Sequence, residues 1–394
     1  MLILSCNVGS TSLKYRLYDM AAGERELAWG HFEGVGRDQG AYKQQTAEGA
    51  RETGDEPAAG YADAIGRMLG FLSESGTLAE GRRPGCVAFK VVAALGYTGV
   101  VRLEEEVLAG MEALYALLPA HNPPYVEAIR QFMRLMPGVP LVGSFETGFF
   151  QGMPDHAAIY PLPRELFEKG LKRSGAHGAS HEYVSGWVAQ REGRDDLKMV
   201  TCHLGGSSSI AAVKNGRGVD TTIGLSMQTG LPHNNRAGDI DPYLTFYLHD
   251  SLGMPLSEIK DMYARQSGLL GLSGGLSADF RDIEKAAREG NLIAKTAFMA
   301  FAYQIKKQIG AFAAALGGLD AISFTGGIGQ NSAALRAEAL SGLDFLGVRL
   351  DDEANAKGGA GSLISMPDSP VRVYVVATNE EIVIARKAYD FLKE

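Results

Sequence analysis

The chain has 394 residues, of which 45% are hydrophobic and 21% charged, with a formal net charge of −8. That length exceeds what one core needs, and the acidic balance excludes a general nucleic-acid-binding protein, which requires a basic face. No apolar run approaches the roughly 20 residues of a membrane span.

The first element is an apolar strand, Leu2-Ile3-Leu4-Ser5-Cys6. It enters a Gly/Ser turn at Asn7-Val8-Gly9-Ser10-Thr11-Ser12 and leaves through a second strand, Leu13-Lys14-Tyr15-Arg16-Leu17-Tyr18. A polar, poorly periodic stretch over 34–57 gives no element. Apolar Ala62, Ile65, Met68, Leu69 and Leu72 predict a helix over 61–72. A short strand follows at 87–92, then a helix over 103–118 that Pro119 ends, then a strand over 141–145 that delivers Glu146.

The opening pattern returns at 199–213. Met199-Val200-Thr201-Cys202 runs into His203-Leu204-Gly205-Gly206-Ser207-Ser208-Ser209 and out through Ile210-Ala211-Ala212-Val213. Helices are predicted around 244–252 and 293–316. A strand at 321–324 meets Thr325-Gly326-Gly327-Ile328-Gly329-Gln330-Asn331, and a last strand at 371–376 meets Asn379-Glu380-Glu381 and a helix over 382–392. Strands alternating with helices predict an α/β protein whose functional groups lie at strand C-terminal ends.

Two strand–turn–strand units in opposite halves point to paired domains gripping one polyphosphate, because glycine lets backbone approach a ligand and clustered N–H and hydroxyl donors suit phosphate oxygens. Asn7, Ser10, Ser12 and Lys14 supply donors in the first turn; Gly205 and Gly206 supply backbone in the second. The 325–331 loop is a strand-to-helix junction of the kind that meets nucleotides. None of these matches the P-loop pattern.

Arg236, in a polar loop over 233–242, suits a planar anion or pairs with Asp239 or Asp241. His177 and His181 have i, i+4 spacing. They lack the glutamate of a zinc helix, which leaves hydrogen bonding to a phosphoryl group or satisfaction in the core. Glu146 and Glu380 suit Mg²⁺, a nucleophile-positioning role, or helix capping. Cys6, Cys86 and Cys202 form no CxxC pair and read as core residues in a reducing compartment. The start of the chain lacks the basic segment of a signal peptide, so a cytoplasmic protein is expected.

Several motifs together resemble the acetate kinase family. They are Asn7-x-Gly9-Ser10-x-Ser12-Leu13-Lys14, Pro119-x-His121-Asn122-Pro123, His177-Gly178-x-Ser180-His181, His203-Leu204-Gly205, Arg236-x-Gly238-Asp239-Ile240-Asp241-Pro242, Ser267-Gly268-Leu269-Leu270-Gly271, Phe324-Thr325-Gly326-Gly327-Ile328-Gly329 and Thr378-Asn379-Glu380-Glu381. The resemblance implies two duplicated ribonuclease H-like α/β lobes of the sugar kinase, actin and Hsp70 ATPase type, with an interlobe cleft. Residues 1–148 with 380–394 would form one lobe and 149–379 the nucleotide-binding lobe.

It further implies a homodimer that uses ATP/ADP and Mg²⁺ to phosphorylate a small carboxylic acid reversibly, with no nucleic-acid or membrane partner. Asn7, Ser10, Ser12, Lys14, His177, His203, Gly205 and Gly206 would face phosphates, and Arg236 the acceptor and transferring group. Glu380, with Asn7, would hold Mg²⁺; Asp279, Arg281, Gly326, Gly327, Gly329 and Asn331 would hold the nucleoside. A carboxylate acceptor is already ionised near pH 7, so no strong base is required.

Departures from the family pattern concern the acceptor. Lys90 stands where the family has Arg, and Glu146 where it has a catalytic Asp. The family's acceptor pocket of Val, Leu, Phe and Pro reads here as Val92, Ala120, Ala176 and Met227. Gln228, Thr229, His233, Asn234 and Asn235 replace mostly small or apolar residues. These changes predict an acceptor larger or more polar than acetate. A plain acetate or propionate kinase, a kinase of a hydroxyl acceptor with Glu146 as base, and a non-catalytic nucleotide-binding protein are the alternatives.

Overall fold

Leu2–Val8 (β1) is buried on nearly every residue, as expected of a strand covered on both faces. The computed structural model describes residues 1–78, 83–119 and 121–394. They fall into two compact units, Met1–Gln151 with Asn379–Glu394, and Gly152–Thr378.

In the first unit β1 is followed by β2 (Ser12–Asp19), β3 (Arg25–Glu33), β4 (Ala41–Thr46), β5 (Arg51–Gly54), β6 (Cys86–Val91), β7 (Val100–Arg102) and β8 (Leu141–Phe145). They form one sheet in the order β5-β4-β3-β2-β1-β6-β8-β7. β1 pairs antiparallel with β2 and parallel with β6. Gly9 N–H donates to the Ser12 carbonyl at 2.8 Å and closes the turn between β1 and β2. The helix Glu380–Phe391 buries Ile382, Val383, Ile384, Ala385 and Ala388, and packs on β1, β6 and β8.

Two segments of the first unit differ from the sequence expectation. The stretch 34–57 is not without structure, because it carries β4 and β5. Its buried face holds Gln44, which accepts from Tyr15 Oη at 2.7 Å, so the alternation is polar and escapes a hydrophobic-period reading. The helix expected over 103–118 spans only Glu105–Glu112. Asn122 Nδ2 donates to the Met111 carbonyl at 2.7 Å and takes up a helix-terminal acceptor there.

The second unit holds β9 (Lys198–His203), β10 (Ser209–Lys214), β11 (Arg217–Thr221), β12 (Ala321–Thr325), β13 (Ser362–Leu363) and β14 (Arg372–Val375), in the order β11-β10-β9-β12-β14-β13. β9 pairs antiparallel with β10 and parallel with β12, which repeats the β2-β1-β6 arrangement of the first unit. The helix Leu292–Leu316 starts at an Asn291 cap, ends at left-handed Gly317, and covers β9 and β10 with Phe301, Ile305, Ile309 and Phe312. The expected helix over 244–252 is an α-helical turn, Tyr243–Phe246, that passes into a π-helix, Tyr247–Ser251. Among the described residues no helix is long and apolar enough to cross a membrane.

Candidate active site

In the second unit, His177 is the residue before the helix Gly178–Glu192 and sits at φ +57°, a conformation that a non-glycine residue adopts at a cost. The residue is only 9% exposed. Its Nδ1 lies 2.8 Å from Ser209 Oγ at the start of β10. His203 ends β9, and its Nδ1 lies 2.8 Å from Ser180 Oγ. The two imidazoles stack with centroids 4.3 Å apart and planes 16° from parallel. Rings this close are not both protonated without strong repulsion. His181 is fully buried, with Nδ1 against Thr201 Oγ1 at 2.7 Å and Nε2 against Ser209 Oγ at 2.8 Å. Both of its nitrogens thus meet hydroxyls, which argues against zinc at the i, i+4 pair.

The Arg236 loop is docked on backbone. Leu269 N–H and Leu270 N–H donate to the carbonyls of His233 and Asn234 at 2.8 and 2.9 Å. Gly268, at φ +61°, is required there: a Cβ would lie 2.1 Å from the His233 carbonyl oxygen. His233 is fully buried and joins the two loops. Its Nδ1 accepts from Ser208 N–H at 3.0 Å and its Nε2 donates to the Thr229 carbonyl at 3.2 Å. Burial, together with the nearby Arg236 charge, lowers its pKa to about 3.

Arg236 Nη2 donates to Ser207 Oγ at 2.6 Å, while its Nε is buried with no acceptor among the described residues. Burial also lowers the guanidinium pKa. Pairing with Asp239 or Asp241 is absent among the described residues. Asp239 instead accepts from Gly230 N–H at 2.8 Å, and Asp241 from Tyr243 N–H at 2.9 Å. A buried cation with a spare donor is suited to an anion.

Beside these loops lies a cavity of about 440 Å³, within the usual range for small-ligand sites. Gly205, Gly206, Asn234, Asp279, Phe280, Arg281, Glu284, Gly327, Ile328, Asn331 and Ser332 line it. Gly326, at φ +77°, brings its segment onto the Leu204 carbonyl, 2.4 Å from where a Cβ would be. The expected loop after β12 is a short helix, Gly326–Asn331, with Gly329 buried inside it. His203 Nε2 is 3.9 Å from where a Gly205 Cβ would sit, so this imidazole borders the glycine turn. Asp279 caps the helix Phe280–Arg288 through Arg281 N–H at 2.9 Å and also holds the Arg281 guanidinium. Phe280, Glu284 and Ser332 escaped sequence reasoning. Glu284 follows Phe280 by one turn on the same helix face, and Ser332 Oγ donates to it at 3.0 Å, so helical spacing from the Asp279 cap was the available signal.

The first unit gathers a separate set. Asn7 lies at the end of β1, opposite Lys14 on β2, which is exposed; Ser10 occupies the turn between the strands and Ser12 opens β2. Tyr125 Oη donates to Asn7 Oδ1 at 3.4 Å. Lys90 on β6 places Nζ 2.7 Å from Glu380 Oε2, at 15% and 11% side-chain exposure. Burial alone would lower the Lys90 pKa, but Glu380 and then Glu146 outweigh it and hold the ammonium well above its usual value. Glu380 opens its helix, but Asn379 supplies the side-chain cap, accepting from Ile382 N–H at 3.1 Å. Ala120 lies outside the described residues. Val92 belongs to the first unit; Ala176 and Met227 belong to the second; all three are buried.

The acetokinase family model matches residues 2–386. An acetate kinase of Clostridium botulinum is 42% identical over 392 residues, covering 98% of each chain. The chain belongs to the acetokinase family. The crystal structure of Porphyromonas gingivalis acetate kinase matches with a TM-score of 0.87 at 34% identity over 99% of each chain. That of a propionate kinase from Francisella tularensis gives 0.89 at 32% over 98% of each. The fold is thus the duplicated α/β ATPase type. Membership carries the reaction, phosphoryl transfer from ATP to a carboxylate to give an acyl phosphate, with Mg²⁺.

The residues present fit both groups. The cavity, with glycine where a Cβ at 206 would meet Asn234 Nδ2 at 3.3 Å, has the size and backbone access that a nucleotide needs. Glu380 and Glu146 both act on the Lys90 ammonium, and carboxylates are the usual protein ligands of Mg²⁺. Among the described residues no group of three or more His, Cys, Asp or Glu is arranged for a metal, and Mg²⁺ commonly uses only one or two carboxylates beside substrate phosphates.

Proposed function

We propose that this acetokinase-family enzyme phosphorylates a small carboxylic acid that is longer than acetate and carries a polar substituent. The observation that carries this is in the second unit. The side-chain oxygens of Gln228 and Asn234, in the segment leading to Arg236, are buried with no hydrogen-bond donor among the described residues. Such an atom costs about 1–3 kcal/mol, and a substrate hydroxyl would satisfy it. Arg236 takes the acceptor carboxylate through its unused donors and stays charged at neutral pH despite burial.

In the same reading, His177 and His203 face the transferred phosphoryl group, with Asn7, Ser10, Ser12, Lys14, Gly205 and Gly206 on the other phosphates. Glu380 and Asn7 hold Mg²⁺. Asp279, Arg281, Gly326, Gly327, Gly329 and Asn331 hold the nucleoside, and Lys90 and Glu146 orient the acceptor. Transfer then depends on positioning and on donors around the equatorial oxygens. Hydroxylamine trapping of acyl phosphate with Arg236→Ala tests the anion role: loss of product supports it, and full turnover removes it.

A second reading, a plain acetate or propionate kinase, is favoured by Ala176, whose 2% exposure means that neighbours already close over the space a larger residue would fill. A homodimer is also proposed. Ile240, Tyr243, Leu244, Phe246, Tyr247, Leu252 and Leu256 leave large apolar surface exposed in one stretch of chain, Tyr243 at 75%. The three free, buried cysteines suit a reducing compartment such as the cytoplasm.

A further inference from the structure

We infer that Thr201, His181 and Ser209 form a buried positioning chain that sets which nitrogen of His177 carries the proton; the inference rests on His177 facing the phosphoryl group. The chain is continuous. Thr201 Oγ1 is 2.7 Å from His181 Nδ1, His181 Nε2 is 2.8 Å from Ser209 Oγ, and Ser209 Oγ is 2.8 Å from His177 Nδ1. Thr201, His181 and Ser209 are fully buried, so no bulk solvent touches its members.

Hydrogen counting leaves two arrangements. The Ser209 hydroxyl carries one hydrogen, so it donates to one imidazole and accepts from the other. In the first arrangement Thr201 donates to His181 Nδ1, His181 Nε2–H donates to Ser209, and Ser209 donates to His177 Nδ1. His177 then carries its hydrogen on Nε2. In the second, every bond reverses, and His177 Nε2 is left with only a lone pair.

Thr201 breaks the tie. Its hydroxyl has no other hydrogen-bond partner among the described residues. In the second arrangement Thr201 would accept from His181 and bury its own hydrogen without an acceptor. In the first, the terminal hydrogen is instead on His177 Nε2, at the least buried end of the chain, and Thr201 keeps only oxygen lone pairs over. An unmet buried donor is the costlier state, so the chain favours His177 with Nε2–H. That tautomer offers a donor to a phosphoryl oxygen as negative charge builds on it, whereas the other offers a repelling lone pair. The sequence spacing follows from this: His177 and His181 lie one helical turn apart, so both rings reach the one hydroxyl at the start of β10.

The test uses the full-length enzyme with imidazole ¹⁵N and ¹³C NMR, the His177 signal being assigned by its loss in His177→Gln. Wild type should show the Nε2–H form. Ser209→Ala should shift His177 toward Nδ1–H and lower kcat by roughly 10- to 100-fold, less than the 10²–10³ that loss of a transition-state donor costs, with the KM for ATP within about twofold. Thr201→Val, which removes the hydroxyl at nearly constant volume from the far end of the chain, should give a mixed tautomer and a smaller fall. It carries the test if Ser209→Ala does not fold. An unchanged His177 tautomer in the variants overturns the inference, as does a kcat within twofold of wild type in a folded Ser209→Ala. Full activity in His177→Gln would instead remove the phosphoryl-facing role while leaving the tautomer result standing.

Discussion

His233 makes the stability of the second unit depend on pH, and the size follows from its surroundings. Burial, reinforced by Arg236, lowers its pKa to about 3, and both ring nitrogens are committed to backbone partners as a neutral imidazole. An unfolded histidine titrates near 6.5. Because the folded value is depressed, the stabilisation is complete above about pH 6.5 and is lost as pH falls toward 3. At pH 5 the unfolded state gains about 1.5 pH units of proton binding that the folded state refuses, or about 2 kcal/mol at 1.36 kcal/mol per unit. His233→Gln keeps an acceptor for Ser208 N–H but does not titrate. The chain has two tryptophans, Trp29 in the first unit and Trp187 in the second. Urea unfolding of a Trp29→Phe background, followed by Trp187 fluorescence, therefore reports the second unit. Between pH 8 and 5 it should lose about 2 kcal/mol more than the same protein with His233→Gln. Parallel losses in the two proteins would show that His233 does not set this pH dependence.

Lys90→Met should destabilise the first unit by about 3–5 kcal/mol, because it leaves Glu380 and Glu146 without their buried ammonium; Lys90→Arg should recover most of this, as read by Trp29 fluorescence in denaturant. The Lys90 pKa is raised, so its contribution is complete below about pH 10 and is lost only as pH climbs through the folded value, which predicts no Lys90-dependent change between pH 6 and 9. Gly268→Ala should cost at least about 2 kcal/mol and most of the activity, since a Cβ would strike the His233 carbonyl at 2.1 Å at φ +61°; light recovery of both by a second substitution elsewhere would contradict a local clash. Phe246→Glu should convert the proposed homodimer to monomers in light scattering, and an unchanged mass would count against this face as a dimer contact.

The two strand–turn–strand units were legible because each pairs a buried apolar run with a Gly/Ser turn, and the structure builds both as β-hairpins beside a parallel strand. β4 was not legible, because its inward residues are the hydrogen-bonded Gln44 and Thr46 rather than apolar ones, and β5 was not, because none of its residues is buried. Asp279 and Arg281 were identified, yet their observed partners are each other, and the wall residues Phe280 and Glu284 became visible only once the helix they share was placed. Arg236 was open between an acid pair and an anion site; its Ser207 anchor and its unpartnered Nε come from how two distant loops dock, which no local pattern encodes. The His177–Ser209–His181 contacts likewise join a helix start to a strand 28 and 32 residues away.

The most direct test is turnover across a panel of carboxylic acids with Mg·ATP, trapping acyl phosphate with hydroxylamine. Acetate and propionate should be compared with hydroxylated acids of two to four carbons. A hydroxylated acid should show a higher kcat/KM than acetate, and that preference should be lost in Gln228→Leu or Asn234→Ala. Best turnover on acetate, with both variants unchanged in preference, would contradict it.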